Sequence, residues 1–290
     1  MTSVTPTLLV HGGAGNPRGG EVEDESAHHE ALRIALEAGA GLLTGGGSAL
    51  DAAEAAVRSL EDCPLFNAGR GSVLTREGRV EMDAAVMDGA ARRAGACAHI
   101  TGVRHPVSLA RAVMEATPHV LIVGADAEAL AAECGLELED PDWFVTEREL
   151  ARQSQHGTVG AVALDAHGNL AAATSTGGVR GQLPGRVGDT PQIGSGTYAD
   201  ELVAVSCTGT GEQFIRAVAA HEVAALVRHA RVPLVAAAER ALAALDGGLI
   251  ALGSDGSAAM PFNTGLMYRG QAAGGQFRTA IWPEGGGAGG

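Results

Sequence analysis

The chain has 290 residues, of which 46% are hydrophobic, 19% charged and only 3% aromatic, and its formal net charge at pH 7 is -14. This composition predicts one globular domain whose core is built mainly from Ala, Val, Leu and Ile, and it argues against extensive disorder. The negative charge argues against broad binding to nucleic acid or to an anionic membrane, because both would repel it, and it favours a small-molecule partner.

The four cysteines and the N-terminal segment bear on where the protein works. Cys63, Cys97, Cys134 and Cys207 are widely spaced and include no C-x-x-C pair, which predicts reduced thiols and no structural zinc. The first residues lack a basic stretch followed by a long apolar one, and no apolar run reaches membrane-spanning length. We therefore expect a soluble cytoplasmic protein with no membrane partner and no nucleic-acid partner.

The first half of the chain alternates short apolar runs with longer amphipathic stretches. A buried strand is predicted at 7–10, where it enters a glycine turn at 11–15. A helix predicted at 50–60 has Ser48 as its N-cap and Asp51 three residues on. The other elements predicted in this half are helices at 26–43, 105–116 and 125–134, strands near 80–87 and 119–124, and an exposed, charged stretch with modest helical character at 141–155.

The second half opens with a hairpin signal, in which strands at 158–165 and 170–176 flank a turn at 166–169. The further predictions are a strand at 202–207, helices at 212–229 and 233–245, closing strands at 249–260 and 265–270, and a disordered tail at 285–290. Because helices are grouped between the strands rather than strictly alternating with them, we expect an α+β protein of layered sheets covered by helices, not a doubly wound parallel sheet.

The junction His156-Gly157-Thr158 joins the charged stretch to the first residue of the hairpin. Chain scission after Gly157 would give Thr158 a free α-amine with a pKa of roughly 8, and its neutral fraction at pH 7 could take the proton of the Thr158 hydroxyl. One residue would then supply both nucleophile and base. Threonine is also a good strand former, so the spacing alone leaves a purely structural role open.

Two other segments have the chemistry to bind a charged substrate. Arg186 and Asp189 lie three residues apart in a loop rich in glycine and proline, where they could clamp the α-carboxylate and α-ammonium of an amino acid or form a surface ion pair. The segment 208–211 follows a strand and precedes a helix, so its N–H groups could face an anion or a developing oxyanion. It lacks the third glycine of a dinucleotide-binding loop. A third cluster, at 174–178, could return beside Thr158 after the hairpin turn and hydrogen-bond it.

Five motifs together resemble the plant-type asparaginase and isoaspartyl peptidase family of N-terminal-nucleophile hydrolases, and the resemblance spans nearly the whole chain. They are LLVHGGAG at 8–15, LEDCPLFNAGRGSVLT at 60–75, HGTVGAVALDAHGNLAAATSTGG at 156–178, LPGRVGD at 183–189 and SCTGTGEQFIR at 206–216. The resemblance implies a four-layer αββα sandwich. It also implies cleavage between Gly157 and Thr158 into an α subunit (1–157) and a β subunit (158–290), and pairing into a dimer of αβ heterodimers.

The resemblance further implies the catalytic residues. Thr158 would be the nucleophile, with Thr176 beside it and Asn67 helping to position the site. Thr208 and the N–H of Gly209 would form the oxyanion hole. The expected reaction is the hydrolysis of L-asparagine or β-aspartyl dipeptides with release of L-aspartate.

The substrate and metal ligands are likewise implied by the resemblance. Arg186 would hold the substrate α-carboxylate, and Asp189 with the carbonyl of Gly211 would hold the α-ammonium; Thr208 and Gly209 would also contact the substrate. No cofactor is implied for catalysis, but a structural sodium ion is. Its ligands would be main-chain carbonyls, those of Leu60, Glu61, Cys63, Phe66, Ala68 and Arg70, and carbonyl ligation suits a hard cation.

One departure from the family and several alternatives stay open at this stage. The segment between Trp143 and Gly157 is short compared with the linkers usual in the family, which bears on the efficiency of cleavage.

A glycosylasparaginase shares the fold and the threonine chemistry, but such enzymes are secreted or lysosomal and typically carry Asp before the nucleophile. A taspase-type protease would need a larger recognition surface. The alternative outside enzymology is an uncleaved, non-catalytic amino-acid-binding protein.

Overall fold

The computed structural model describes residues 4–16, 22, 24–151 and 157–283; His156 and the tail predicted at 285–290 lie outside these ranges. The strands are β1 (Thr7–Gly15), β2 (Met82–Asp88), β3 (Arg93–Ile100), β4 (Leu121–Val123), β5 (Val159–Leu164), β6 (Leu170–Thr176), β7 (Thr197–Ala199), β8 (Val203–Gly209), β9 (Gly247–Gly253), β10 (Ala258–Ala259), β11 (Leu266–Ala273) and β12 (Gln276–Ala280). The helices are α1 (Glu25–Thr44), α2 (Ala49–Asp62), α3 (Pro106–Ala116), α4 (Gly124–Glu133), α5 (Pro141–Phe144), α6 (Glu147–Ala151), α7 (Gly211–Ala217), α8 (Ala219–Ala230) and α9 (Leu234–Leu242).

Two sheets organise these elements. The larger sheet has the strand order β12-β11-β1-β5-β6-β2-β3-β4 and the smaller one β10-β9-β8-β7. Neighbouring strands are antiparallel except for β3 and β4. Helices α1, α2 and α3 pack on the larger sheet, and α8 and α9 pack on the smaller one. The prediction of an α+β protein with helix-covered sheets is therefore confirmed, and a doubly wound parallel sheet is excluded for the described residues.

Three apolar clusters hold the layers together. One lies between α1–α3 and the larger sheet, and a second lies between α7–α9 and the smaller sheet. The third lies between the two sheets, where Leu9, Val162 and Ile250 are fully buried. Because β5 and β6 are buried along their whole length, their sequences are continuously apolar or hydroxyl-bearing, as expected for strands covered on both faces.

Small residues allow the layers to approach closely. A Cβ added at Gly39 of α1 would lie 2.6 Å from the Ala52 carbonyl oxygen of α2, and one at Gly95 of β3 would lie 2.1 Å from the Ala110 carbonyl oxygen of α3. Backbones pack directly against one another at these points. The prediction of a core built from small and aliphatic residues is confirmed.

The long amphipathic helices match their predictions within a few residues. Helix α2 starts at a capping box in which the Ser48 hydroxyl accepts the Asp51 N–H and the Asp51 carboxylate accepts the Ser48 N–H. The hairpin of β5 and β6 is also confirmed. None of the described helices is long and apolar enough to cross a membrane.

Several local predictions were wrong. The segment predicted as a glycine turn at 11–15 is strand, because β1 continues to Gly15 beside β11, with a register shift between His11 and Gly13. The helix predicted at 212–229 is two helices, α7 and α8, which meet at Val218 in the left-handed conformation (φ 50°). The stretch predicted as exposed buries Phe144 and the Glu149 side chain.

The sequence analysis missed β3, β7 and β12. Strand β3 reads RAGACAHI, a run of small residues with weak strand propensity, and it is a strand because β2 and β4 pair with it on either side. Strand β7 has three residues and β12 lies at the sheet edge. Tertiary pairing rather than local propensity creates these strands.

Candidate active site

The β5–β6 hairpin positions Thr158. Val159 pairs with Ser175, so Thr158 lies opposite Thr176 at the open end of the hairpin. The Thr158 hydroxyl donates to the Thr176 hydroxyl across 3.2 Å, and the two residues are only 7% and 3% exposed. The antiparallel ladder therefore brings these two predicted catalytic residues together in a buried setting.

The carbonyl oxygen of Gly157 accepts two side-chain hydrogen bonds. Asn67 Nδ2 donates across 2.8 Å and the Thr176 hydroxyl across 3.0 Å. Asn67 Oδ1 accepts the Val73 N–H at 2.9 Å, which fixes which end of the amide faces Gly157. Two donors on one carbonyl oxygen polarise it and would stabilise negative charge that develops there.

The glycines of β1 lie against the Gly157–Thr158 bond. A Cβ added at Gly13 would lie 3.1 Å from Gly157 Cα and 3.4 Å from the Thr158 nitrogen. Gly13 also has a φ of 109°, a value that favours glycine. The next residue, Ala14, donates its N–H to the Thr208 hydroxyl at 3.2 Å. The glycine segment thus links the Gly157–Thr158 bond to the segment of β8 predicted to form the oxyanion hole.

Thr208 and Gly209 end strand β8 in the smaller sheet. Because the Thr208 hydroxyl accepts from Ala14, its own O–H remains a donor for another acceptor. Gly209 has a φ of 153°, and a Cβ there would lie 2.3 Å from the Asp246 carbonyl oxygen, so another residue would not fit. Both neighbours of β8 are antiparallel, which excludes the dinucleotide-binding interpretation of this segment.

Arg186, Asp189 and Gly211 converge on one spot. The Cβ position of Gly211 is 2.8 Å from Arg186 Nη2 and 2.8 Å from Asp189 Oδ1. Arg186 Nε forms an ion pair with Glu212 at 3.0 Å, whereas Asp189 is only 5% exposed. The alternative interpretation of Arg186 and Asp189 as a surface ion pair is therefore wrong.

The Asp189 carboxylate is buried with unused hydrogen-bonding capacity. Its Oδ2 has no hydrogen-bond partner among the described residues. Burial raises the pKa of Asp189 from 3.8 to about 7, while the charge of Arg186 opposes that rise and the charges of Glu212 and Asp83 add to it. A buried acceptor of this kind, with a raised pKa, is typical of a site that receives a cationic ligand group.

A buried polar chain behind the nucleophile was missed by the sequence analysis. His11 Nε2 lies 2.8 Å from the Ser206 hydroxyl, which lies 2.8 Å from the Thr174 hydroxyl, and the Thr197 hydroxyl donates to Thr174 at 2.7 Å. Burial lowers the pKa of His11 to about 3, so the imidazole is neutral at physiological pH. A Cβ at Gly160 would lie 2.0 Å from the Ser206 hydroxyl oxygen. This chain ties the two sheets together beneath Thr158.

The carboxylates that surround the site were also missed. Glu81 and Asp83 accept backbone N–H groups of the loop that carries Arg186 and Asp189. Glu149, at the end of the α subunit predicted from the sequence, forms an ion pair with Arg180, four residues after Thr176. The sequence signal that could have identified two of them is Glu81-Met82-Asp83. Acidic residues two positions apart at the start of an apolar strand place their side chains on the same face.

The loop 60–71 has the curvature expected for a carbonyl-lined cation site. The Arg70 N–H donates to the Glu61 carbonyl at 2.7 Å, which closes the loop. A Cβ at Gly71 would lie 2.7 Å from the Phe66 carbonyl oxygen and 2.9 Å from that of Pro64, so carbonyl oxygens point inward around this glycine. Among the described residues, no cluster of His, Cys, Asp and Glu could hold a metal ion. The main-chain oxygens of this loop are its candidate cation ligands.

Comparisons with known proteins agree over most of the chain. The sequence model of the asparaginase family matches residues 4–154 and 148–281. The chain is 48% identical over 292 residues to an isoaspartyl peptidase of Salmonella typhimurium, covering 90% of this chain and 93% of that protein. It is 44% identical over 229 residues to an isoaspartyl peptidase/L-asparaginase of Homo sapiens (73% and 74% covered) and 45% identical over 246 residues to a plant-type L-asparaginase of Thermococcus kodakarensis (76% and 79% covered). The chain therefore belongs to the asparaginase family that the five motifs indicated.

Proposed function

We propose that the protein is an isoaspartyl peptidase and L-asparaginase that activates itself by cutting the Gly157–Thr158 bond. The observation that carries this proposal is the pair of hydrogen bonds on the Gly157 carbonyl oxygen, from Asn67 and Thr176, beside a Thr158 hydroxyl that is itself hydrogen-bonded to Thr176. A purely structural threonine at the start of a strand does not require that the preceding carbonyl oxygen accept two side-chain hydrogen bonds. The arrangement fits a nucleophile aimed at its own peptide bond.

Self-cleavage proceeds by attack of the Thr158 hydroxyl on the Gly157 carbonyl carbon. The C–O bond forms, the C–N bond to Thr158 breaks, and the proton of the hydroxyl goes to the released amine, leaving an ester. Asn67 and Thr176 stabilise the oxyanion of the tetrahedral intermediate, because both already donate to that oxygen. Water then hydrolyses the ester, which frees the carboxylate of Gly157 and restores the Thr158 hydroxyl beside its free α-amine.

Turnover uses the freed amine as the base. The neutral α-amine takes the proton of the Thr158 hydroxyl as that oxygen attacks the side-chain amide carbonyl of the substrate, and it returns the proton to the leaving ammonia or amine. The Thr208 O–H and the Gly209 N–H stabilise the oxyanion. Water then hydrolyses the acyl-enzyme and releases L-aspartate.

Arg186, Asp189 and the carbonyl of Gly211 select the aspartyl head group. The guanidinium binds the α-carboxylate, while the buried carboxylate and the carbonyl receive the α-ammonium. The proximity of Gly211 to both side chains supports this assignment. Because L-asparagine and β-aspartyl dipeptides share this head group, both are substrates, and L-aspartate is the common product.

The proposal extends to the subunits and to a sodium ion. The fold is a four-layer αββα sandwich, residues 1–157 and 158–290 form the two subunits, and two αβ pairs associate; family membership and the three apolar clusters support this. The loop 60–71 fits a hard cation, since its inward carbonyls are oxygen donors. The ion would stabilise the loop that carries Asn67 and takes no part in the reaction. Its ligands would be the carbonyls of Leu60, Glu61, Cys63, Phe66, Ala68 and Arg70.

The experiment that tests the function compares the unmodified protein with Thr158→Ala. After incubation, the unmodified protein is expected to run as two bands on a denaturing gel, to give Thr158 as a second N-terminus on Edman sequencing, and to release ammonia from L-asparagine. The variant is expected to stay near 29.1 kDa and to be inactive. An intact, inactive wild-type chain that still binds L-aspartate would instead identify a non-catalytic binding protein.

A further inference from the structure

Two acidic side chains, Glu81 immediately before β2 and Asp83 within it, contact the loop that carries the proposed substrate-binding pair Arg186 and Asp189. Glu81 and Asp83 are each only 3% exposed, and they occupy alternate positions at the start of the strand. Burial of two carboxylates is costly unless hydrogen bonds compensate for it. The partners of these two carboxylates therefore indicate what the burial achieves.

Both carboxylates bind the backbone of the loop that contains Arg186 and Asp189. Glu81 Oε2 accepts the Gly185 N–H at 2.7 Å, and Asp83 Oδ2 accepts the Gly188 N–H at 3.2 Å. These two amides flank Arg186, and Gly188 immediately precedes Asp189. The backbone of the loop is thus held by hydrogen bonds on both sides of Arg186.

Asp83 also stands in register with the reaction centre. It pairs with Thr176 across β2 and β6, and Thr176 contacts Thr158 on the next strand, so the three residues lie side by side across three strands. Residues directly opposite each other in an antiparallel pair place their side chains on the same face. A shift of the Asp83 carboxylate would therefore move the loop relative to the nucleophile.

A second backbone contact fixes the Asp83 side chain. Asp83 Oδ1 accepts the N–H of His99 at 3.0 Å, at a point where the β2–β3 register shifts and His99 adopts a φ of 59°. Each carboxylate oxygen of Asp83 thus has its own backbone donor. An asparagine could satisfy only one of them and would turn its NH₂ toward the other.

We propose that Glu81 and Asp83 are positioning residues that hold Arg186 and Asp189 at a set distance from Thr158, and so determine the affinity for the aspartyl head group. This inference rests on the proposed function. It concerns the binding of substrate and product, whereas the hydrogen bonds on the Gly157 carbonyl come from Asn67 and Thr176. Loss of either carboxylate should therefore change KM more than kcat or self-cleavage.

The test compares Asp83→Asn and Glu81→Gln with Asp165→Asn. Asp165 is the matched control because it is a buried carboxylate that accepts the N–H groups of His167 and Asn169, in the turn at the far end of the hairpin. For Asp83→Asn we expect KM for L-asparagine and the Kd for L-aspartate to rise about 5–20-fold, the range of one lost hydrogen bond and an unpaired amide, with kcat within about twofold. Glu81→Gln should give a smaller rise, and Asp165→Asn none.

A pH profile distinguishes a positioning role of Asp83 from a general loss of structure around the site. The charged or titratable groups that face Asp189 are Arg186, Glu212, Asp83 and the Cys207 thiol. The charge of Asp83 helps to raise the pKa of Asp189, so Asp83→Asn should move the low-pH limb of the L-aspartate binding profile to lower pH. Glu81→Gln should move that limb less, since Glu81 is not among the groups with the largest effects on the pKa of Asp189.

Failure of the proposed function and failure of the positioning role would give different results. An unmodified enzyme that neither cuts itself nor turns over substrate would overturn the proposed function, while calorimetry with L-aspartate would still report the role of Asp83. Unchanged affinity in folded Asp83→Asn and Glu81→Gln, or an equal loss in Asp165→Asn, would overturn the inference. Should Asp83→Asn fail to fold, the affinity of Glu81→Ala for L-aspartate decides, because this variant removes the acceptor of the Gly185 N–H and leaves Asp83 in place.

Discussion

The β5–β6 hairpin and the loop 183–189 supply the two halves of the proposed reaction, and they are held by different forces. The hairpin is an antiparallel ladder in register from Leu164–Leu170 to Val159–Ser175, buried on both faces. The loop pairs with none of the described strands, and its backbone is held by the carboxylates of Glu81 and Asp83 at the start of β2. The nucleophile is thus held by a regular strand ladder. The residues that recognise the substrate lie on a loop held by a few hydrogen bonds to carboxylates.

This difference predicts two kinds of sensitivity. The position of Thr158 depends on backbone pairing, which does not titrate, so pH should act there only through the freed amine. The loop depends on carboxylates whose pKa values are raised by burial, to about 6 for Asp83 and about 7 for Asp189. Substitutions in the loop should therefore weaken substrate binding and leave self-cleavage unchanged, whereas substitutions around the Gly157 carbonyl should slow self-cleavage itself.

The largest expected effect comes from Asp189→Asn. Removing the charge that receives the α-ammonium should lower kcat/KM for L-asparagine about 10²–10³-fold, as for loss of one member of a buried charge pair. Self-cleavage should proceed at the wild-type rate, because the donors to the Gly157 carbonyl are Asn67 and Thr176. Steady-state kinetics and a gel time course measure the two. A variant that stays uncut would contradict the separation of the regions.

Asn67→Ala is expected to have the next largest effect, this time on cleavage. Removing one of two donors to the Gly157 carbonyl should slow self-cleavage about 10²-fold or more. Asn169→Ala is the control, since Asn169 Nδ2 donates to Asp165 in the distant hairpin turn. Cleavage is followed by mass spectrometry after rapid purification. Equal rates in Asn67→Ala and the control would remove Asn67 from the proposed oxyanion site.

The smallest effect is on stability. The folded-state pKa of Asp189 lies above its ordinary value, so the native state binds more protons between pH 3.8 and about 7, and the free energy of unfolding falls as pH rises through that window. An asparagine side chain at this position does not ionise and has no such cost. In an uncut Thr158→Ala background, Asp189→Asn should raise Tm by a few degrees at pH 8, since about 1 kcal/mol corresponds to roughly 2–4 °C.

Calorimetric or fluorescence melts at pH 5 and pH 8 check this prediction. The gain from Asp189→Asn should shrink at pH 5, where the native Asp189 is already protonated. The same substitution would then weaken function while stabilising the fold, a trade-off expected where a site keeps a buried charge. A Tm gain that is equal at both pH values would show that Asp189 is not the group whose ionisation opposes folding.

Local sequence patterns predicted the elements whose own residues include caps, turn residues or a clear hydrophobic period. Helix α2 has its capping box at Ser48 and Asp51, and the hairpin turn has Asp165, Gly168 and Asn169, so periodicity and turn chemistry were sufficient there. Strand β3, with its small residues, and β1 beyond His11, with its glycines, carry no such signal. They are strands because neighbouring strands supply their hydrogen bonds.

The sequence by itself determined the family, the residues expected to react and the acidic, small-residue composition of the chain, because these depend on side-chain types at fixed spacings. Only the tertiary structure decided that Asn67 and Thr176 meet at the Gly157 carbonyl, that Arg186 and Asp189 converge at Gly211, and that Glu81 and Asp83 hold their loop. Those contacts join residues up to about a hundred positions apart. Sheet pairing and burial bring such distant residues together, and a local sequence pattern does not encode either of them.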